Sequence, residues 1–134
     1  EQDSDLWLID VASKNAKEFL TWSGYSISNP TYSPDGSQIT FYATAIENRH
    51  ATQTNLAIVP ASGGKPIILT ASLDRDIGGH TWAADGKTLY FTAQTEGDVP
   101  LFSISPKGGA ITKILGNDNG INDFDIRGDR VVYA

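Results

Sequence analysis

The sequence predicts an all-β fold made of repeated four-stranded antiparallel units, and three observations carry that prediction. The stretch Tyr32-Ser33-Pro34-Asp35-Gly36-Ser37-Gln38-Ile39-Thr40-Phe41 returns fifty residues later as Trp82-Ala83-Ala84-Asp85-Gly86-Lys87-Thr88-Leu89-Tyr90-Phe91. A second element recurs between these copies: Asp5-Leu6-Trp7-Leu8-Ile9-Asp10, Asn55-Leu56-Ala57-Ile58-Val59-Pro60 and Pro100-Leu101-Phe102-Ser103-Ile104-Ser105. No stretch of ten or more residues combines a 3.6-residue apolar period with helix caps; residues 10–20 come nearest, with Val11, Phe19 and Leu20 badly spaced. A repeat interval of 42 to 50 residues, read between Gly36, Gly86 and Gly128, suits four-stranded blades. The expected architecture is a β-propeller segment with about three blades' worth of strands.

Within each unit the strands are numbered first to fourth. The chain opens on a half blade, residues 5–21, holding a third and a fourth strand. Leu6-Trp7-Leu8-Ile9 is apolar on both faces, which suits a strand sandwiched between neighbouring blades rather than one with a wet side. The polar turn Ser13-Lys14-Asn15 follows, then a strand ending at Leu20-Thr21. A full blade is expected over residues 31–70. In its Ser33-Pro34-Asp35-Gly36 turn, proline presets φ, aspartate accepts backbone N–H bonds and glycine takes the left-handed region that closes a hairpin. Ile39 and Phe41 then alternate with Gln38 and Thr40 as a strand does.

The segment from Thr44 to Thr54 reads as a loop between second and third strands, about five residues longer than its counterpart near Glu96-Gly97-Asp98. Ser62-Gly63-Gly64 turns the third strand into the fourth, which ends at Leu69-Thr70. A second full blade, residues 80–115, repeats this plan with Ala83-Ala84-Asp85-Gly86 and Lys107-Gly108-Gly109 as its turns. The closing half blade, residues 122–134, is a weaker copy: Phe124 stands in the place of Trp82, Gly128 in that of Gly86, and Arg127 replaces the turn aspartate. Tyr32 and Trp82 are expected to be buried aromatic anchors at the ends of their strands.

Composition narrows the function classes. The 134 residues are 40% hydrophobic before the 13 glycines are counted, the range of a folded domain. A net charge of −6 with no basic cluster opposes binding to nucleic acid or anionic membranes. The apolar runs are far shorter than the roughly 20 residues of a spanning helix, so no membrane insertion is expected. Without cysteine there is neither a thiolate nucleophile nor a cysteine metal site, and the compartment stays open. The sequence starts at Glu1 and contains no methionine, which fits either a removed leader or an excised fragment. A periplasmic or secreted setting is slightly favoured over a cytoplasmic one.

No catalytic, cofactor-binding or metal-binding residue is assigned. His50 and His80 are the only histidines, and no strained elbow presents Ser62 or Ser72 to either. No His-x3-His or His-Glu-x-x-His spacing occurs. Gly116-Asn117-Asp118-Asn119-Gly120 resembles a calcium loop, but Leu115 and Ile126 would occupy positions where carboxylates are required, so a turn is expected. Asp35 and Asp85 serve their turns. Asp74-Arg75-Asp76 suits either recognition of a charged group or an exposed ion pair holding the connection between blades. The long segment containing Glu47 is the strongest candidate for contacts on a rigid scaffold.

The repeats resemble the TolB-like β-propeller family, in which an aromatic precedes Ser-Pro-Asp-Gly and a hydrophobic strand. The run from Leu73 to Trp82 and the opening Asp5-Leu6-Trp7-Leu8-Ile9-Asp10-Val11 are similar to propellers of prolyl oligopeptidase-family serine peptidases, especially the dipeptidyl and acylaminoacyl peptidase branch. That resemblance implies a propeller seated on an α/β-hydrolase domain, restricting which peptides reach a Ser-Asp-His triad. This chain has no Gly-x-Ser-x-Gly elbow, so it is not expected to hydrolyse peptides by itself. In the dipeptidyl peptidases paired glutamates hold a substrate amine; a single Glu47 does not carry that role here. The expected partners are a hydrolase domain of the parent protein, or a second copy completing the propeller, and a peptide substrate. The alternative is a non-enzymatic TolB-like propeller binding a protein partner in the cell envelope.

Overall fold

The computed structural model describes residues 4–48, 50–116 and 120–134. Its strands run in chain order as β1 (Leu6–Ile9), β2 (Ala16–Leu20), β3 (Tyr25–Tyr32), β4 (Gln38–Glu47), β5 (His50–Pro60), β6 (Ile67–Ile68), β7 (Ile77–Trp82), β8 (Leu89–Ala93), β9 (Leu101–Ile104), β10 (Thr112–Leu115), β11 (Phe124–Arg127) and β12 (Arg130–Tyr133). They form two four-stranded antiparallel meanders, β3-β4-β5-β6 and β7-β8-β9-β10, flanked by the hairpins β1-β2 and β11-β12. Two hairpins thus flank two four-stranded sheets along the chain. Among the described residues the only helical element is the 3-10 turn Ala71–Leu73, inside the connection from β6 to β7.

Burial follows strand alternation and explains why the blades stack. In β4, Ile39, Phe41 and Ala43 face one way and join Leu6, Leu20 and Ile27 in a core shared with the opening half blade. Tyr42, on the opposite face of β4, joins Leu56 and Ile58 of β5 and Trp82, Leu89 and Phe91 of the next blade. Both faces of the β3–β6 sheet are therefore dry, and each neighbour supplies half of the apolar contact.

The Asp-Gly corners close as the sequence leads one to expect. Ser33 N donates to Gln38 O at 2.8 Å and Gly36 N to Ser33 O at 2.9 Å; Ala83 N to Thr88 O and Gly86 N to Ala83 O repeat the pattern at 2.9 Å each. Asp35 Oδ1 accepts from Ser37 N, from the Ser37 hydroxyl and from the Ser33 hydroxyl. These bonds, the Ser37 backbone N–H first, lower its carboxyl from the ordinary value to about 2. Asp85 makes the corresponding bond to Lys87 N at 2.9 Å. At the glycine that follows each aspartate, φ is +73° at Gly36 and +71° at Gly86.

Four expectations need correction. The segment 44–54 is not a loop: β4 and β5 extend as a paired ladder to Glu47 and His50, with the Thr44 and Thr54 hydroxyls 2.8 Å apart. The β-branched residues Thr44, Ile46, Thr52 and Thr54 favour this extension. Arg49 lies outside the described residues. The first full blade begins at Tyr25 rather than residue 31, because β3 continues past an irregularity at Asn29, where φ is +52°. Tyr32 is not buried. It is 55% exposed, whereas Trp82 is 9% exposed, because Trp82 lies against β4 of the preceding blade and the half blade before Tyr32 has no second strand among the described residues. In the closing half blade Ile126, not Phe124, pairs with Val131 as Trp82 pairs with Leu89. Its hairpin pairs Arg127 with Arg130 and so turns in two residues, Gly128 and Asp129.

Replacing Gly36 or Gly86 by Ala should lower stability by about 1–2 kcal/mol each, the cost of a left-handed L-residue, in urea melts. An unchanged midpoint would show that these corners are not held left-handed.

Candidate functional site

The blades place the sequence candidates at two distinct locations. At the end where β4 meets β5 and β8 leads to β9, the connection between the full blades runs alongside the extended hairpin. Asp76 Oδ1 accepts from Thr54 N at 2.8 Å, and Gln53 Nε2 donates to Arg75 O at 3.2 Å. An open cleft of about 420 Å³ results, lined by Gln53, Asp74, Arg75, Asp76, Gln94 and Glu96 among others. The structure thus brings the two candidate segments together, and it adds Gln94 and Glu96 from the β8–β9 connection. The Asp76 carboxylate and the Arg75 carbonyl thus tie the connection to the hairpin, each through one bond between a side chain and the backbone. Three carboxylates and one guanidinium leave the cleft net negative, suited to a cationic group.

The second location is the junction between the full blades, where His80 sits. Its Nε2 lies 2.9 Å from Thr40 Oγ1 and its Nδ1 3.0 Å from the Tyr42 hydroxyl. Trp82 Nε1 donates to Thr40 Oγ1 at 3.1 Å, and Thr40 Oγ1 donates to Thr31 O at 3.3 Å. Thr40 has one proton to give, and Thr31 O receives it. The network therefore assigns the His80 proton to Nε2, leaving Nδ1 to accept from Tyr42. Burial lowers the His80 pKa from 6.5 to about 4, so the ring is neutral at neutral pH. Burial likewise raises the Tyr42 pKa.

His80 makes no bond to Ser62 or Ser72, and its role is to join blades. His50 pairs with Glu47 at the exposed hairpin tip. Among the described residues no three His, Asp or Glu side chains gather as metal ligands; the calcium-like segment at 117–119 lies outside those residues. Sequence reasoning singled out His80 and Trp82 but missed Thr40 and Tyr42. The available signal was polarity alternating with Ile39 and Phe41 in a strand expected to be dry on both faces.

Similarity to known proteins matches this geometry. No protein-family model matches the chain. Over 96% of its length it superposes on 36% of the propeller domain of the Trilobed protease from Pyrococcus furiosus, with TM-score 0.72 and 23% identity. TolB from Acinetobacter baumannii matches 81% of the chain over 26% of its own, with TM-score 0.58 and 18% identity. The chain is a segment of TolB-like β-propeller. In sequence the segment is similar to part of dipeptidyl-peptidase 5 from Porphyromonas gingivalis, with 27% identity over 130 residues, 95% of this chain. Dipeptidyl-peptidase 5 from Trichophyton schoenleinii is 32% identical over 100 residues, 72% of this chain. The aligned regions span 19% and 14% of those relatives.

The opening half blade departs from the propeller repeat at one polar position. In the first full blade Asn55 Oδ1 accepts from Thr70 Oγ1 at 3.0 Å, and Leu56 N donates to the same hydroxyl at 3.0 Å. Asp5 and Thr21 hold the equivalent places, but the Thr21 hydroxyl donates to Glu18 and Asp5 Oδ1 is buried without a partner among the described residues.

Two outcomes follow. The unfolded chain binds a proton at His80 below pH about 6.5 while the folded chain resists until about 4, so stability should fall as pH drops through that window. The loss is on the order of 3 kcal/mol. His80→Gln, which bonds without titrating, should flatten this part of a stability–pH profile; an unchanged slope would exclude His80 as its source. Asp5→Ala should raise the urea midpoint, gaining up to about 1 kcal/mol by removing the orphaned carboxylate oxygen, and a lowered midpoint would contradict the assignment.

Proposed function

We propose that this propeller segment belongs to a serine peptidase of the prolyl oligopeptidase type, where it gates and positions peptide substrates for a hydrolase domain outside this chain. The observation that carries the reading is similarity to dipeptidyl-peptidase 5 along 95% of the chain, joined to superposition on a protease propeller. The physical basis is rigidity at the blade junctions: dry contacts and the His80 network hold the loops at one end in fixed relation. The negative cleft at that end then acts on the approach of the amino terminus of a peptide. On this reading the chain supplies orientation and exclusion, and the nucleophile, base and oxyanion donors come from the hydrolase.

The second reading is a non-enzymatic TolB-like propeller that binds a protein partner, favoured by the superposition on TolB. The full gene product should decide between them. Under the leading reading it releases p-nitroaniline from dipeptidyl p-nitroanilides with a free amino terminus, and a fluorophosphonate abolishes the reaction. The isolated segment is inert in the same assay. Absence of hydrolysis by the full product, with a protein partner co-purifying stoichiometrically, would reject the peptidase reading.

A further inference from the structure

We propose that the joint between the two four-stranded sheets is an acid-operated latch, in which a proton on His80 Nδ1 drives the ring out of the junction and frees one sheet to shift on the other without unfolding either. The inference does not rest on the peptidase reading. Both partners of the joint, β3-β4-β5-β6 and β7-β8-β9-β10, lie within the chain with all four strands in place.

With the ring neutral, every polar hydrogen of the joint has an acceptor. Tyr42 donates to His80 Nδ1, His80 Nε2 and Trp82 Nε1 both donate to Thr40 Oγ1, and Thr40 passes its own proton to Thr31 O. Both lone pairs of the Thr40 hydroxyl are then taken. A second ring proton meets the Tyr42 O–H head on, and turning that hydroxyl toward Asn29, the other side chain beside it, leaves the new charge buried all the same. The groups around the ring are Thr40 and Tyr42 of β4, Asn29 of β3, Trp82 of β7 and Phe91 of β8. None offers a carboxylate to an imidazolium. Tyr42 alone among them titrates, and burial raises its pKa, so it stays neutral in acid. Burial alone lowers the His80 pKa to about 4.

The backbone beside His80 is built to let the ring leave. Pairing of β7 with β8 is irregular between Ile77 and His80, where Gly78 and Gly79 stand. A bulge re-aims the side chains next to it, and two glycines give the backbone the freedom to do so. His80 is only half-buried, so its path to water is short. The ladder beyond it, Thr81 with Tyr90 and Trp82 with Leu89, does not depend on the ring. Apolar contacts of Tyr42, Leu56 and Ile58 with Trp82, Leu89 and Phe91 still hold the sheets face to face, but nothing polar then fixes their position. The connection bearing Asp74, Arg75 and Asp76 runs straight into β7, so the shift reshapes the cleft.

Outside the joint the ring takes its proton at the ordinary 6.5, inside at about 4, and this gap of 2.5 pH units raises the open fraction up to about 300-fold as pH falls through that window. The test is an NMR titration of the chain with isotope-labelled histidine and tryptophan. His80 should take its proton well below pH 6.5, and protection of the Trp82 indole N–H against solvent exchange should fall up to about 300-fold in step, while circular dichroism keeps its β signal. His80→Gln should hold that protection constant. Tyr42→Phe, which takes away the donor to Nδ1, should move both changes to higher pH. A His80 that titrates while Trp82 stays protected, protection lost only together with the circular dichroism, or a midpoint that Tyr42→Phe leaves in place would each overturn the proposal.

Discussion

The structure depends on one constraint: a four-stranded sheet apolar on both faces cannot be stable alone and must be covered twice. Phe41 and Ala57 point to one side of the same sheet, Tyr42 and Leu56 to the other, and all four are buried. Removing either neighbour would return one of these layers to water at roughly 25 cal/mol per Å² of apolar area. Stacking around an axis is the arrangement that lets identical units meet this demand repeatedly, each blade covering the next. The half blades carry the exposed aromatics Trp7 and Tyr133.

Within this apolar stack, polar groups serve as locators. Thr40 is fully buried, yet its hydroxyl meets a carbonyl of its own sheet and two ring nitrogens of the next. Dispersion contacts tolerate sliding, whereas a hydroxyl with three partners does not, because any shift leaves a buried donor or acceptor unmatched. The apolar layers hold the blades together, and the Thr40, Tyr42, His80 and Trp82 group fixes how they sit.

Much of this was legible in the residues. Turn chemistry gave the hairpins, since Pro34-Asp35-Gly36 has few other ways to lie, and the repeat gave the unit. What escaped was long-range or depended on what surrounds a residue. Tyr32 and Trp82 occupy equivalent places in sequence, and only the presence of a strand before the second buries it. The hairpin at 44–54 looked like a loop because its polar threonines hid a pairing that both strands had to make together. The cleft was half legible: Asp74-Arg75-Asp76 and the long segment each drew notice, but their meeting is a product of blade stacking that no local pattern encodes.

The three indoles occupy three settings along the stack. Trp7 stands open on an edge, Trp22 lies 4.3 Å from the Tyr25 ring, and Trp82 is sealed at the joint between complete sheets. Indole emission shifts with the wetness of its surroundings, so the molecule carries its own optical gauge at each level. Loosening of the central joint would redden one component and leave the outer two unchanged, which separates local slippage from global melting without any attached dye.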